Sequence, residues 1–111
     1  MTILKENKLY YSITEVSKLL ELTTPTIRFW ETQFPCIKTV KRERNKRRKY
    51  IFRDIQTLHH INYLLHIEGF TVKGAIKALE NWKPDQSFAE FDELLKNEIT
   101  ILENKIDEIH I

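Results

Sequence analysis

A chain of 111 residues, 41% hydrophobic, holds one small domain or one domain with an arm, built on a modest core. Two glycines and three prolines favour a helix-rich protein, and with no apolar run of about eighteen residues and no secretory h-region, membrane spanning and export are not expected. The formal charge of +2 conceals a division: residues 1–80 carry a net +7 and residues 81–111 a net −5, which suits a nucleic-acid-binding head with an arm that stays off the polymer, chance segregation of surface charge being the plainer reading.

Residues 1–9 carry no strong signal, although Leu9 and Tyr10 are an apolar pair expected to pack beneath the first helix. Ser12-x-x-Glu15 is a capping box, and Ile13, Val16, Leu19 and Leu20 follow at helical spacing. Leu22 and Thr23 break the rhythm. Thr24-Pro25 restarts a helix, with Thr24 as N-cap and proline at the first helical position, where its missing N–H costs nothing. Pro35 disfavours α geometry in its predecessor, so this helix should stop near Phe34. Ile27, Trp30 and Phe34 fall on the side facing the first helix; Pro25, Arg28, Phe29 and Thr32 fall roughly opposite. Two short helices joined by a tight turn, the second presenting polar and cationic groups, form a recognition arrangement for a major groove. Thr24, Thr26 and Arg28 are its candidate DNA contacts. An αα-hairpin with a solvated outer face is the plainer reading.

From Lys38 to Arg53 the chain carries Lys38, Lys41, Arg42, Arg44, Lys46, Arg47, Arg48, Lys49 and Arg53 against the single acid Glu43. Such a run on its own is a solvated segment. Here Ile37, Val40, Tyr50 and Phe52 flank it, and Arg44-Asn45-Lys46 holds an asparagine suited to a turn. A two-stranded wing with a cationic tip is therefore expected, and its charges would neutralise phosphates and release counterions.

Arg53 to Glu68 reads as a longer helix with Ile55, Leu58, Ile61, Leu64 and Leu65 inward and Gly69 as its stop. Ile51 and Phe52 offer it no side-chain cap, though Asp54 complements the helix N-terminus. Gly69-Phe70-Thr71 turns into another helix with Val72, Ala75, Ile76 and Leu79 inward, and the pair should buttress the helix-turn-helix. Asn81 to Gln86 is a break, and Ser87-x-x-Glu90 is a second capping box. Phe88, Phe91, Leu95, Ile99, Leu102, Ile106 and Ile109 then recur at steps of 3-4-4-3-4-3, heptad-like with one stutter. This arm, roughly 33 Å long at about 1.5 Å per residue, is expected to pack on a second copy; folding back on its own head is the alternative.

The expected fold is mainly α: a winged helix-turn-helix over residues 1–80, comprising a two-helix unit, a β-ribbon wing and a buttressing helix pair. A linker over 81–87 and a C-terminal coiled-coil dimerisation helix over 88–111 complete it.

These residues resemble the MerR-type transcriptional regulators. The resemblance covers about residues 10–80 and starts at Ser12-Ile13-Thr14-Glu15-Val16. Thr26-Ile27-Arg28-Phe29-Trp30-Glu31 is similar to that family's Arg-aromatic-aromatic-Glu signature, followed by Arg48-Lys49-Tyr50, Asp54-Ile55 and Glu68-Gly69-Phe70-Thr71. The resemblance implies DNA contacts from Arg28 and Trp30 on the recognition helix and from Arg48 and Tyr50 on the wing. It implies possible phosphate contacts from His66 and Lys73, an antiparallel coiled-coil dimer, and two wings on successive turns of a pseudo-palindromic site. It further implies that the bound dimer bends and untwists a promoter spacer for RNA polymerase. The chain departs from the family at Lys46, where a glycine is usual near the wing turn.

No glycine-rich phosphate loop, paired acid and base or nucleophile motif marks an enzyme. Cys36 with His59, His60, His66 and His110 makes no metal-ligand spacing, so neither metal nor cofactor is expected. A lone thiol, expected to be semi-buried, suits a reducing cytoplasm. The function expected is a homodimeric, sequence-specific regulator of transcription on double-stranded DNA, cytoplasmic and nucleoid-associated. An excisionase-like or chromosome-organising DNA-binder, or a protein-interaction adaptor working through its acidic coil, are the competing readings.

Overall fold

A computed structural model describes residues 8–37, 41–42, 48–84 and 87–97, with 41, 42 and 48 described in their backbone alone. The order is β1 (Tyr11–Ser12), α1 (Ile13–Leu20), α2 (Thr24–Gln33), β2 (Lys41–Arg42), β3 (Arg48–Tyr50), α3 (Phe52–Asn62), a π-helical turn (Tyr63–Ile67) and α4 (Val72–Leu79). Residues 88–97 are also helical and are called α5. Arg44, Lys46 and Arg47 of the expected wing tip, and Ile99, Leu102, Ile106 and Ile109 of the expected dimer stripe, lie outside the described residues.

Helix α1 starts as its spacing suggests. Ser12 Oγ accepts from the Glu15 N–H at 3.1 Å and Glu15 Oε1 accepts from the Ser12 N–H at 3.0 Å. Lys8 pairs with the other Glu15 oxygen. Burial pushes the Glu15 carboxyl upward, but Lys8 and Ser12 together outweigh it and hold the group below its ordinary value. The helix ends at Glu21, which adopts left-handed geometry at φ 55°. From there Leu22 N–H reaches the Ser17 carbonyl at 3.1 Å.

The next start differs by one residue from expectation. Thr23, not Thr24, caps α2: its Oγ1 accepts from the Thr26 N–H at 3.3 Å and lies 2.7 Å from Thr26 Oγ1. Pro25 then occupies the second helical position, which costs nothing because that N–H also lacks an intrahelical acceptor. Helix α2 ends at Gln33 with Phe34 as C-cap, and Ile27, Trp30 and Phe34 are buried.

The ribbon is one strand wider than the expected pair. The sheet order is β1-β3-β2, antiparallel throughout, with Tyr11 opposite Tyr50, Ser12 opposite Lys49, Lys41 opposite Lys49 and Arg42 opposite Arg48. Tyr11 and Tyr50 are both fully buried, so the added strand buries a tyrosine pair and covers an edge of β3. Tyr11 thus takes the inner place expected of Leu9 and Tyr10, which are 68% and 37% exposed.

Helix α3 begins at Phe52, one residue earlier than expected. Asp54, only 2% exposed, accepts from the Ile51 N–H at 3.1 Å, supplying half of a capping box where no capping hydroxyl exists. Beyond Asn62 the helix widens into the π form, where Glu68 N–H reaches the Tyr63 carbonyl at 3.0 Å, and it is closed off by Phe70 N–H on the Leu64 carbonyl at 2.8 Å. Gly69, at φ 75°, provides the left-handed stop. Thr71 caps α4 through the Gly74 N–H at 3.0 Å, and Ala75 and Leu79 are buried.

The arm begins against the chain's own head. Ser87 and Glu90 form the second capping box, but the first stripe residues go to the chain's own head. Phe91 and Leu95 are buried, and Phe88 packs against the core. Phe52 of α3 lies 5.4 Å from Phe88 and 5.5 Å from Phe91 between ring centroids, while the His59 ring meets Phe91 edge-on at 5.3 Å. Phe52, which precedes the helix expected at Arg53, supplies the aromatic platform that a spacing argument within the arm omits. The linker is fastened too: Trp82 stacks on His60 at 4.4 Å with the rings 6° from parallel.

Candidate nucleic-acid interface

Two faces of α2 have separate tasks. Ile27 and Trp30 lock it to the core, leaving Pro25, Arg28, Phe29 and Thr32 exposed. Thr24 and Thr26 are half-buried at its first turn, and the Thr26 hydroxyl is engaged with Thr23. A cation, an aromatic ring and a hydroxyl therefore project from a helix held rigidly from behind.

A side chain of the ribbon reaches this helix. Tyr50, at the end of β3, donates from its hydroxyl to Glu31 Oε1 of α2 at 2.9 Å. On the neighbouring position of β3, the Lys49 ammonium lies 5.6 Å from the centroid of the Tyr10 ring. The strands of the ribbon place Lys41, Arg42 and Arg48 in its paired part. Cationic residues thus occupy paired positions on a ribbon that is tied to α2.

Two candidate contacts are buried. Trp30 is 3% exposed and its ring centroid lies 6.3 Å from that of His66; Tyr50 is fully buried. Each packs into the core with the apolar residues of its own element. Phe29, 53% exposed beside Arg28, was absent from the expected contacts, although its place opposite Ile27 on the helical wheel signals it. Glu31 was missed as well, and no spacing rule connects it to a tyrosine nineteen residues away. His66 and Lys73 are exposed. Cys36 is exposed rather than semi-buried. Among the described residues no three His, Cys, Asp or Glu side chains converge on a point, and no helix is long and apolar enough to cross a membrane.

The model of the MerR helix-turn-helix family of regulatory proteins matches residues 11–82. The chain belongs to the MerR family. The matched span runs from Tyr11 in β1 to Trp82 on the His60 stack, taking in the helix-turn-helix, the wing and the α3–α4 pair. Among solved structures it is similar to HiNmlR, a MerR family regulator lacking the sensor domain and crystallised bound to promoter DNA. That likeness has a TM-score of 0.57 at 18% identity and covers 92% of this chain and 76% of the other. No curated protein matches the chain in sequence. Membership in MerR makes this a regulatory helix-turn-helix protein.

Proposed function

We propose that this MerR-family chain binds specific double-stranded DNA sites as a homodimer and regulates transcription from them. The observation that carries the reading is the Tyr50–Glu31 hydrogen bond, which ties a cationic ribbon to a helix whose free side presents Arg28 and Phe29. Promoter DNA bound to the similar HiNmlR supports the same ligand here.

In this reading α2 enters the major groove. Arg28 reads a base edge, Phe29 offers apolar contact to a thymine methyl, and Thr24 and Thr26 contact the backbone near the helix start. Lys41, Arg42, Arg44, Lys46, Arg47 and Arg48 neutralise flanking phosphates, with His66 and Lys73 as outer contacts. Trp30 and Tyr50 hold the two reading elements in register. Phe88, Phe91 and Leu95 are committed to the head, so the dimer seam rests on Ile99, Leu102, Ile106 and Ile109. Two heads joined there would bend or untwist a promoter for RNA polymerase, the deformation being the regulatory signal. The work is done in the cytoplasm, on the nucleoid.

The test is duplex binding across a salt series, starting with DNA from upstream of the protein's own gene. Affinity should fall steeply with salt, and the Arg47→Ala/Arg48→Ala variant should flatten the log–log slope by about 0.9 for each phosphate no longer neutralised. No duplex binding at low salt would remove this reading and leave the adaptor. A footprint on a promoter spacer supports regulation; scattered footprints make the protein architectural.

A further inference from the structure

A cleft of about 490 Å³ opens where the loop after α2, the start of α3, the end of α4 and the linker meet. Its size falls within the range of roughly 300–1,000 Å³ typical of small-molecule sites. None of the outward residues of α2 lines it, so it is separate from the proposed DNA surface.

The lining has two characters. Phe34 and Leu79 are core residues that also face the cleft, and Trp82 adds an indole. His60 covers one face of that indole, and the ring also lines the cleft. Arg53 and Lys83 are exposed cations beside this apolar wall, and neither makes an ion pair or side-chain hydrogen bond within 4.0 Å to another described residue. Glu80 contributes one carboxylate, so the charged lining sums to a single positive charge. That balance suits a monoanion better than a phosphate dianion, and a planar guanidinium matches a carboxylate edge to edge.

Cys36 also lines the cleft. Although Cys36 is exposed at the surface, the cleft wall partly desolvates its thiol, which raises it above the ordinary value, keeps it protonated near neutrality and makes it a wall rather than a nucleophile. Capture of a ligand here is therefore non-covalent.

The geometry points to a binding site for a small aromatic carboxylate, its ring against Trp82, Phe34 and Leu79 and its carboxylate on Arg53. Such a ligand bridges the loop that ends the recognition helix to the linker that carries α5. Occupancy thereby connects the reading element to the arm, within the head itself. The inference stands apart from the DNA reading and does not require it.

The experiment is a titration of the full chain, followed by backbone amide NMR, with indole-3-acetate, its neutral counterpart indole-3-acetamide and the cation tryptamine. Indole-3-acetate should give saturable shifts clustered at residues 34–36, 53–57 and 76–83, and should bind about tenfold more tightly than the acetamide, the worth of one charge-assisted pairing. Tryptamine should bind most weakly. Arg53→Gln, a substitution of an exposed side chain, should erase the preference for the acid while leaving acetamide binding in place. Cys36→Phe should fill the cleft and abolish binding of all three, in a protein whose remaining spectrum is unchanged. Absence of saturable shifts, shifts centred on the outer face of α2, an acid preference that survives Arg53→Gln, or binding undiminished in Cys36→Phe would each overturn the assignment. Duplex binding measured in parallel reports separately on the regulatory function.

Discussion

The Tyr50 hydroxyl donates a 2.9 Å hydrogen bond to Glu31 Oε1, joining the last residue of the ribbon to the helix proposed to read DNA. Tyr50→Phe keeps the ring in the core but deprives a part-buried carboxylate of that donor. A loss of about 2 kcal/mol in stability is expected, the worth of a hydrogen bond to a charged group. Site affinity should fall as well, because ribbon and helix lose their shared register. Urea denaturation and duplex titration measure the two effects; parental values in both would remove the bond from the mechanism.

The shifted cap of α2 separates folding from recognition. Thr23→Ala should cost about 1 kcal/mol, the usual worth of an N-cap hydroxyl. Thr24→Ala should leave stability nearly unchanged while weakening DNA binding. The opposite pattern would restore Thr24 as the cap.

Glu21 holds a backbone conformation that glycine adopts without penalty. Because the Leu22–Ser17 bond there is made by main-chain atoms, Glu21→Gly keeps it. The expected result is a gain of about 1 kcal/mol, seen as a higher melting temperature. An unchanged or lower melting temperature would show that the acidic side chain contributes more than the geometry costs.

Phe91 and Leu102 test two roles proposed for the arm. Phe91→Ala empties a site on the chain's own head and should cost about 3–5 kcal/mol at any protein concentration. Leu102→Asp should halve the mass seen by sedimentation and cost far more DNA affinity than its distance from the duplex suggests. Sedimentation identical to the parent would refute a seam at Leu102.

Burial, assisted by neighbouring His59, pulls His60 below its ordinary value. The unfolded chain therefore binds a proton at higher pH than the folded one. The associated stability is complete above the ordinary imidazole value of about 6.5 and declines as pH falls from there toward the lower folded-state value. Since His60 stacks on Trp82, the linker should loosen over the same interval. His60→Gln should flatten this part of the stability profile, as read from urea midpoints; an unaltered slope would assign it to another group.

Local signals carried much of this fold. The Ser12/Glu15 and Ser87/Glu90 boxes form as written because a cap involves neighbours only. The two-faced α2 was legible from the spacing of Ile27, Trp30 and Phe34, and the Gly69 stop from its permissive backbone. Adjacent threonines at 23 and 24 present the same chemistry, which is why the cap was displaced by one. The π turn at Tyr63–Ile67 and the pairing of Tyr11 with Tyr50 arise from tertiary packing, which hydrophobic period does not encode. The same limit hid the arm's choice of partner, because Phe88, Phe91 and Leu95 form an equal stripe whether their partner is Phe52 or a second copy. At the candidate interface, exposed Arg28 was legible, whereas the inward turn of Tyr50 emerged only with the third strand.

That third strand has a mechanical consequence. Tyr11 and Ser12 belong to the sheet, and Ser12 is also the residue that caps α1, so no slack separates the two. In the proposed reading, a torque that a twisting duplex exerts on β3 would meet no intervening residue between the sheet and α1, and would reach the base of that helix as rotation.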